Sequence, residues 1–507
     1  MFPHPMTQPP PSLFTIETSE NIPNALHEQL RQHFDRLAPH WDRWKRRNGY
    51  YYQDLEKLVR FFIPPQSVVL EVGCGTGDLL AAIDPKQGMG IDFSPAMVQI
   101  AQGKYPSQQF PHLQFHCAIA EHLTPDLLPD LGNLGAIDYI LLSESLSSFV
   151  DIQRVLQQLS PWCDRHTRII LTFHNFLWEP ILRLGEHLGL RCPQPQQSWL
   201  SMTDVINLLQ IAGYTSTQKG RRCLVPKGIP LLADWINRFI APLPGLNHLC
   251  LTHYLVARKQ VHVSNPTAYT CSVIVPARNE AGNINATLDR LPPLGSHTEV
   301  IFVEGHSQDD TWNVIQTVMN RSRPGFSLKA FQQSGQGKAD AVHLGFAEAT
   351  GDILIILDAD LTVQPEDLDH FFEVISQGWG EFINGSRLVY PRSIAAMPGV
   401  NMLANKFFSL LFSFLLGQPI KDTLCGTKVL WREDFERMNA DRDYFGNFDP
   451  FGDFELLFGA ARFGLHIVDV PVRYQPRQYG SSNIAHVKEG LTLLKMCGFA
   501  AQKIKFI

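Results

Sequence analysis

The chain has 507 residues, 44% of them hydrophobic, 18% charged and 10% aromatic. That is a globular composition on a chain too long for one ordinary core, so two or three domains are expected. A formal net charge of −6 offers no basic face and argues against nucleic acid as a partner. Nine cysteines, scattered and without a CxxC pair, argue against a disulfide framework or zinc site and fit a reducing, cytoplasmic compartment.

In chain order, Met1–Ser12 is Pro-rich and lacks the basic start and apolar run of a signal peptide. It reads as a disordered lead-in extending to residue 20. No uncharged run reaches the ~18 residues of a membrane-spanning helix; the longest is Phe407–Leu416. Strands are predicted at Val68–Val72, Met89–Phe93, Leu113–Cys117, Ile137–Leu142 and Arg168–Phe173, with helices between them. Strands separated by helix-length segments imply a parallel α/β sheet. Asp204 sits early in a helix that stops at Ala212–Gly213. Tyr214–Arg222 and Leu251–Ala257 read as a closing strand pair, with an amphipathic helix over Ile229–Ile240. The polar stretch 258–269 is the expected linker, which divides the chain into domains 1–257 and 270–507.

VVLEVGCGTG (Val68–Gly77) runs a buried strand straight into Gly73, Gly75 and Gly77 and then a helix. The glycines permit a tight turn and close backbone approach to a ligand at the helix start. The spacing GxGxG differs from the dinucleotide GxGxxG. Acidic Glu71 before the turn suits a cationic amine, and Asp92 at the next strand end suits ribose hydroxyls. This set resembles the class I S-adenosylmethionine (SAM)-dependent methyltransferases over roughly Phe34 to Ala257. The resemblance implies a Rossmann-like sheet with SAM as cofactor, contacted by Glu71, Gly73, Gly75, Gly77 and Asp92. It also implies that the aromatic helix Tyr50–Leu58 closes over the cofactor and that Ala120 offers its amide near the adenine. Ile119 stands where many members carry an acid. His174, after its strand, is either a base or a hydrogen-bonded structural histidine, and Ser143 and Glu144 line the same crevice. A SAM domain acting only as a binding module is the alternative reading.

The second block opens with CSVIVPARNEAGNI (Cys271–Ile284), and a further strand ends in Glu304. In GDILIILDADLTV (Gly351–Val363), an apolar strand Ile353–Leu357 runs into Asp358–Ala359–Asp360. Alternate residues of an extended strand share a face, so the two acids are expected to converge on Mg²⁺ or Mn²⁺ together with substrate phosphates. A nucleotidyltransferase is the rival; it would open with a Gly- and Arg-rich phosphate loop, which PARNEAGN lacks.

The ordered motifs PARNE (Pro276–Glu280), EGHSQDDT (Glu304–Thr311), GKADA (Gly337–Ala341) and DAD (Asp358–Asp360) are followed by DTLCGTK (Asp422–Lys428), GDFELL (Gly452–Leu457) and RQYGSS (Arg477–Ser482). Together they resemble the family 2 glycosyltransferases of GT-A fold, especially polyprenyl-phosphate sugar synthases, over about Tyr269–Ser482. The resemblance implies a nucleoside diphosphate sugar held by Pro276, Glu280, Glu304, Lys338, Asp358 and Arg477, with Asp358 and Asp360 on the metal. It implies Asp453 and Asp360 as catalytic residues and inverting transfer to a lipid-phosphate or glycan acceptor. Glu304 stands where Asp is usual, and Gly452 where many members have Glu. The apolar run Asn401–Ile420 is either a core helix or a lipid-facing surface. The basic amphipathic stretch Ile484–Phe506 either lies on a membrane or packs on the domain.

Overall fold

The computed structural model describes residues 21–124, 135–195, 198–261, 263, 265–390, 399–440, 452–477, 479 and 486–505. The expected lead-in, residues 1–20, lies outside them, as do the last three residues of RQYGSS.

Two helices, α1 (Asn21–Arg47) and α2 (Gly49–Phe62), precede the first sheet. Its strands are β1 (Val68–Val72), β2 (Gln87–Asp92), β3 (Leu113–Cys117), β4 (Tyr139–Ser143), β5 (Arg168–His174), β6 (Tyr214–Arg222) and β7 (Thr252–Lys259). Their order is β3-β2-β1-β4-β5-β7-β6, parallel except for β7, which is antiparallel to both neighbours. Intervening helices start on side-chain caps. Ser94 accepts from the Met97 amide ahead of Pro95–Lys104, and Ser201 and Asp204 form a capping box for Met202–Ile211.

The second sheet contains β8 (Thr270–Ala277), β9 (His297–Glu304), β10 (Phe326–Gln332), β11 (Ile353–Ile356), β12 (Phe382–Ser386), β13 (Lys428–Trp431) and β14 (Ile467–Pro471). The order is β10-β9-β8-β11-β13-β12-β14, with β13 antiparallel to β11 and β12. Central β8 and β11 are buried on both faces, which is why their sequences are continuous apolar runs.

Three expectations change. The closing strand β7 runs to Lys259, so Arg258, assigned to the linker, is a buried strand residue. Ile229–Ile240 is not one amphipathic helix: Leu232–Trp235 is a single α turn that widens into a π turn over Ile236–Ile240. Strand β11 ends at Ile356, so Asp358 and Asp360 lie in the turn beyond it.

The apolar run becomes a helix, Gly399–Leu416, that divides the two readings between its faces. Phe408, Phe412, Leu415 and Leu416 are buried, while Leu403, Phe407 and Leu410 are exposed. Phe412 stacks on Phe458 at 4.9 Å and meets Phe454 edge-on at 4.5 Å. The helix His486–Ile504 packs on it, burying Leu493, Met496, Cys497 and Ala500. Among the described residues no helix is long and apolar enough to cross a membrane. All nine cysteines are free thiols, eight of them buried.

The two sheets share a polar, buried seam. Arg168 at the start of β5 pairs with Glu381 at 2.8 Å, and both are almost fully buried. Arg168 also donates to the Gly464 carbonyl, and Arg258 donates to that of Gly378. Gln218 reaches the Ala461 carbonyl and Arg462 that of Phe61. Each of these four side chains thus finds at least one acceptor on the other side.

Candidate functional site

Two clusters form at the carboxyl ends of the two sheets, where strand-to-helix turns in α/β folds leave a crevice.

In the first sheet, Gly73, Gly75 and Gly77 all adopt left-handed φ, of 82°, 53° and 78°. A side chain at Gly73 would be blocked twice, by its backbone and by Ser145, whose Cβ would lie 2.6 Å from the new atom. Asp92 holds the turn: one oxygen accepts from the Gly75 amide and the other from the Ser94 amide, each at 2.9 Å. Burial nonetheless raises its pKa to about 6. A ribose at Asp92 would have only the lone pairs these two amides leave open.

Glu71 is buried, and its Oε2 has no hydrogen-bond partner among the described residues. Desolvation lifts its pKa to about 8, against the pull of Lys45. Ser145 Oγ, beside the turn, is also buried and unpaired. Ala120 is buried and opens a single 3₁₀ turn after Ile119. These orphaned polar atoms, together with a glycine cradle, fit a ligand that brings a cationic group to Glu71.

The helix covering this turn carried no expectation. It is α1: Trp41 Nε1 would lie 3.6 Å from a Cβ on Gly75, Asp42 accepts from Thr76 at 2.9 Å, and Lys45 pairs with Asp78 at 3.1 Å. Asp35 accepts from Ser94 at 2.6 Å. Phe34, Ala38 and Trp41 mark the inner face at i, i+4, i+7 spacing, the available signal, but Pro39 interrupts the pattern. The expected closing helix, within α2, instead brings Tyr51 to Glu144 and His174.

In the second sheet, residues from six motifs meet. Arg477 bridges Glu280 Oε1 and Asp360 Oδ2, each at 2.8 Å. Lys338, first residue of the helix Lys338–Glu348, pairs with Asp358 at 2.6 Å. Burial opposes the charge on Lys338, yet Asp358, Asp453 and Asp360 hold its pKa well above the ordinary lysine range. Burial raises that of Glu280 to about 7, with Arg477 opposing and Asp360 and Asp358 adding to the rise. Asp453 begins the helix Asp453–Arg462 and lies 3.7 Å from buried Lys428. Four carboxylates thus face Lys338, Arg477 and Lys428, an excess of negative charge. Asp358 and Asp360 both lie in the turn after β11 and not on the strand: Asp360 Oδ1 is tied to the Thr362 amide and hydroxyl at 3.0 and 2.7 Å.

Gly426 completes this pocket and was quoted in a motif without a role. A Cβ there would land inside van der Waals contact of both Asp358 Oδ2 and Lys338 Nζ. Glu304 is buried at the end of β9; burial would raise its pKa, but hydrogen bonds from Ser307 and Gln332 outweigh it and lower the value. Its carboxylate therefore closes the local turn. Pro276 sits one residue before the end of β8, opposite Val303. Among the described residues no group of three His, Cys, Asp or Glu side chains forms a preassembled metal site. Two carboxylates in one turn are still a donor set of the kind that a hard divalent cation completes with phosphate oxygens.

Comparison with known proteins matches each half to a family model. Residues 25–219 match the family model described as a methyltransferase domain, and residues 272–438 that of glycosyl transferase family 2. A Haloferax volcanii glycosyltransferase is 27% identical over 231 residues, covering 44% of this chain and 70% of the relative. A dolichol-phosphate mannosyltransferase of Pyrococcus furiosus is 28% identical over 220 residues, covering 42% of this chain and 58% of the relative. An undecaprenyl-phosphate mannosyltransferase of Micrococcus luteus is 26% identical over 232 residues, covering 45% and 94%. The first sheet thus has the methyltransferase fold and the second a GT-A-like fold.

Proposed function

We propose that this chain, which joins a methyltransferase domain to a family 2 glycosyltransferase domain, is a bifunctional enzyme working on lipid-linked or glycan substrates. Its second half transfers a sugar, with inversion, from a nucleoside diphosphate sugar to a polyprenyl-phosphate-like or glycan acceptor; its first half methylates with SAM. The names of the relatives, dolichol-phosphate and undecaprenyl-phosphate mannosyltransferases, support the lipid-phosphate choice. The exposed face of Leu403, Phe407 and Leu410 supports contact with a membrane surface at its cytoplasmic side.

The observation that carries the reading is the meeting of Glu280, Lys338, Asp358, Asp360, Asp453 and Arg477 in one cluster at a sheet edge. Asp358 and Asp360 would hold Mg²⁺ or Mn²⁺, which supplies positive charge to the departing diphosphate. Lys338 and Arg477, already beside those acids, orient the diphosphate and add to its neutralisation. Glu280 faces the nucleoside side of the cluster. Asp453 lies on the acceptor side; an anionic phosphate acceptor needs no strong base, so its part is to orient. In the first half, Glu71 would receive the SAM amine and Asp92 the ribose, with the glycine turn and Ala120 against the rest.

The test is donor turnover across UDP- and GDP-sugars with Mn²⁺, wild type against Asp360→Ala. Metal-dependent release of nucleoside diphosphate, lost in the variant, is expected. Release of pyrophosphate, or equal turnover by both proteins, would overturn the assignment.

A further inference from the structure

Beside the glycine turn, three side chains from separate elements converge. Tyr51 of α2 donates its hydroxyl to Glu144 Oε1. His174, at the end of β5, places Nε2 3.0 Å from the same oxygen and 3.2 Å from the Tyr51 hydroxyl. Thr252 of β7 donates to the Tyr51 oxygen at 3.3 Å. An ionised carboxylate only accepts hydrogen bonds, so the ring nitrogen facing Glu144 carries the proton and Nδ1 keeps its lone pair. The described residues give Nδ1 no hydrogen-bond partner.

Glu144 reaches this position at a conformational cost. Its φ is 56°, a left-handed value that disfavours a residue with a Cβ by about 1–2 kcal/mol. Its amide is pinned to the Thr172 carbonyl at 2.9 Å. Strain kept in place by neighbouring structure is a pointer to function. The next residue, Ser145, is the one packed against Gly73, so the cluster lies next to the turn assigned to the methyl donor. Glu144 and His174 also line a cavity whose wall includes Leu146, Phe173, Trp199 and Leu200 together with Ser147 and Ser198.

We propose that His174 Nδ1 is the catalytic base of the methyltransferase half and that its acceptor is a hydroxyl on an apolar body seated against Trp199, Leu200 and Phe173. The inference rests on the reading of the first half as an active SAM-dependent enzyme. The acceptor O–H bond breaks and its proton passes to Nδ1. The oxygen pair forms the new O–CH3 bond. The S–CH3 bond of SAM breaks with its electrons staying on sulfur, leaving S-adenosylhomocysteine and an imidazolium facing Glu144; solvent later takes the proton. Glu144 and Tyr51 are positioning residues that set the tautomer and pair with the charged ring.

The test uses the full chain. Nitrogen NMR of the imidazoles, with the His174 signal identified from His174→Gln, should show the Nε2-protonated tautomer in wild type and its loss in Glu144→Gln. With 2-naphthol and 2-naphthylamine as probes, methyl transfer should go to the hydroxyl and fall at least ~100-fold in His174→Gln, as expected for removal of a general base. Affinity for S-adenosylhomocysteine should stay within about twofold, which shows that the variant folds. An Nδ1-protonated ring, a signal unmoved by Glu144→Gln, preference for the amine, or transfer surviving His174→Gln would overturn the proposal; the ring spectrum decides if neither probe is methylated. Wild type that fails to bind S-adenosylhomocysteine is a different failure, that of the SAM reading itself.

Discussion

The two clusters treat buried carboxylates in opposite ways. At the glycine turn Glu71 keeps one oxygen without a partner and its pKa is driven up to about 8. At the second sheet Asp358, Asp360 and Glu280 each hold a cation of the protein's own, Lys338 or Arg477. On the proposed reading, a cation that a ligand brings would complete the first site, whereas the second would have to exchange or share its internal ion pairs with a metal and a diphosphate. Burial is common to both; what differs is where the compensating charge comes from.

The largest test of this contrast attacks the frame that carries both sites. Glu381→Ala would leave Arg168 and Arg258 buried at the seam without their carboxylate partner. A loss of about 3–5 kcal/mol in denaturant unfolding is expected. Glu433→Ala should cost at most about 1 kcal/mol, because that carboxylate is 62% exposed in its pair with Arg165. Equal losses would mean that the seam is not a buried electrostatic joint.

Next comes Gly426→Ala, which pushes a methyl group between Lys338 and Asp358. Sugar transfer should fall by about 100-fold, the usual scale for losing one positioned charge in a dry site, while S-adenosylhomocysteine binding is untouched. A loss in both halves would point to misfolding and erase the contrast.

Glu71→Gln should weaken S-adenosylhomocysteine about 10–100-fold, since a hydrogen bond to a charged group contributes about 1.5–3 kcal/mol. The wild-type affinity itself should fall as pH drops below about 8, because the cationic amine needs an ionised Glu71 and binding must expel its proton. Calorimetry in buffers of different ionisation enthalpy would show that proton release, absent in the variant.

The last effect is on the unliganded protein. A carboxyl raised from 4.5 to about 8 favours folding when protonated. Its stabilisation is complete below pH 4.5 and disappears as pH rises through 8. Unfolding free energies of Glu71→Gln and wild type should therefore diverge over that window, by no more than about 1.4 kcal/mol per pH unit.

Much of the fold was legible because buried parallel strands write themselves as apolar runs. The predicted strands sit within two residues of the observed ones from Val68 to Arg222. Most motif residues of the second half also meet, Lys338 and Asp453 at helix starts and Glu280, Asp358, Asp360 and Arg477 in loops that follow strands. What stayed hidden depends on tertiary contact. Nothing in YYYQDL marks which tyrosine will meet His174, and nothing at Glu144 announces a left-handed backbone. Strand alternation does not govern Asp358 and Asp360, since the strand stops at Ile356 and both stand in the turn beyond it. The linker was set too early because Arg258 and Lys259 look solvent-bound, yet the second domain buries Arg258.

The central claim is that the cluster around Asp358 and Asp360 takes up a nucleoside diphosphate with a metal ion. Calorimetric titration of the full chain with UDP and with GDP, with and without Mn²⁺, addresses it most directly. Binding of one nucleotide that requires Mn²⁺ and is lost in Asp358→Asn is the predicted result. Binding of equal strength without metal, or undiminished in Asp358→Asn, would contradict it.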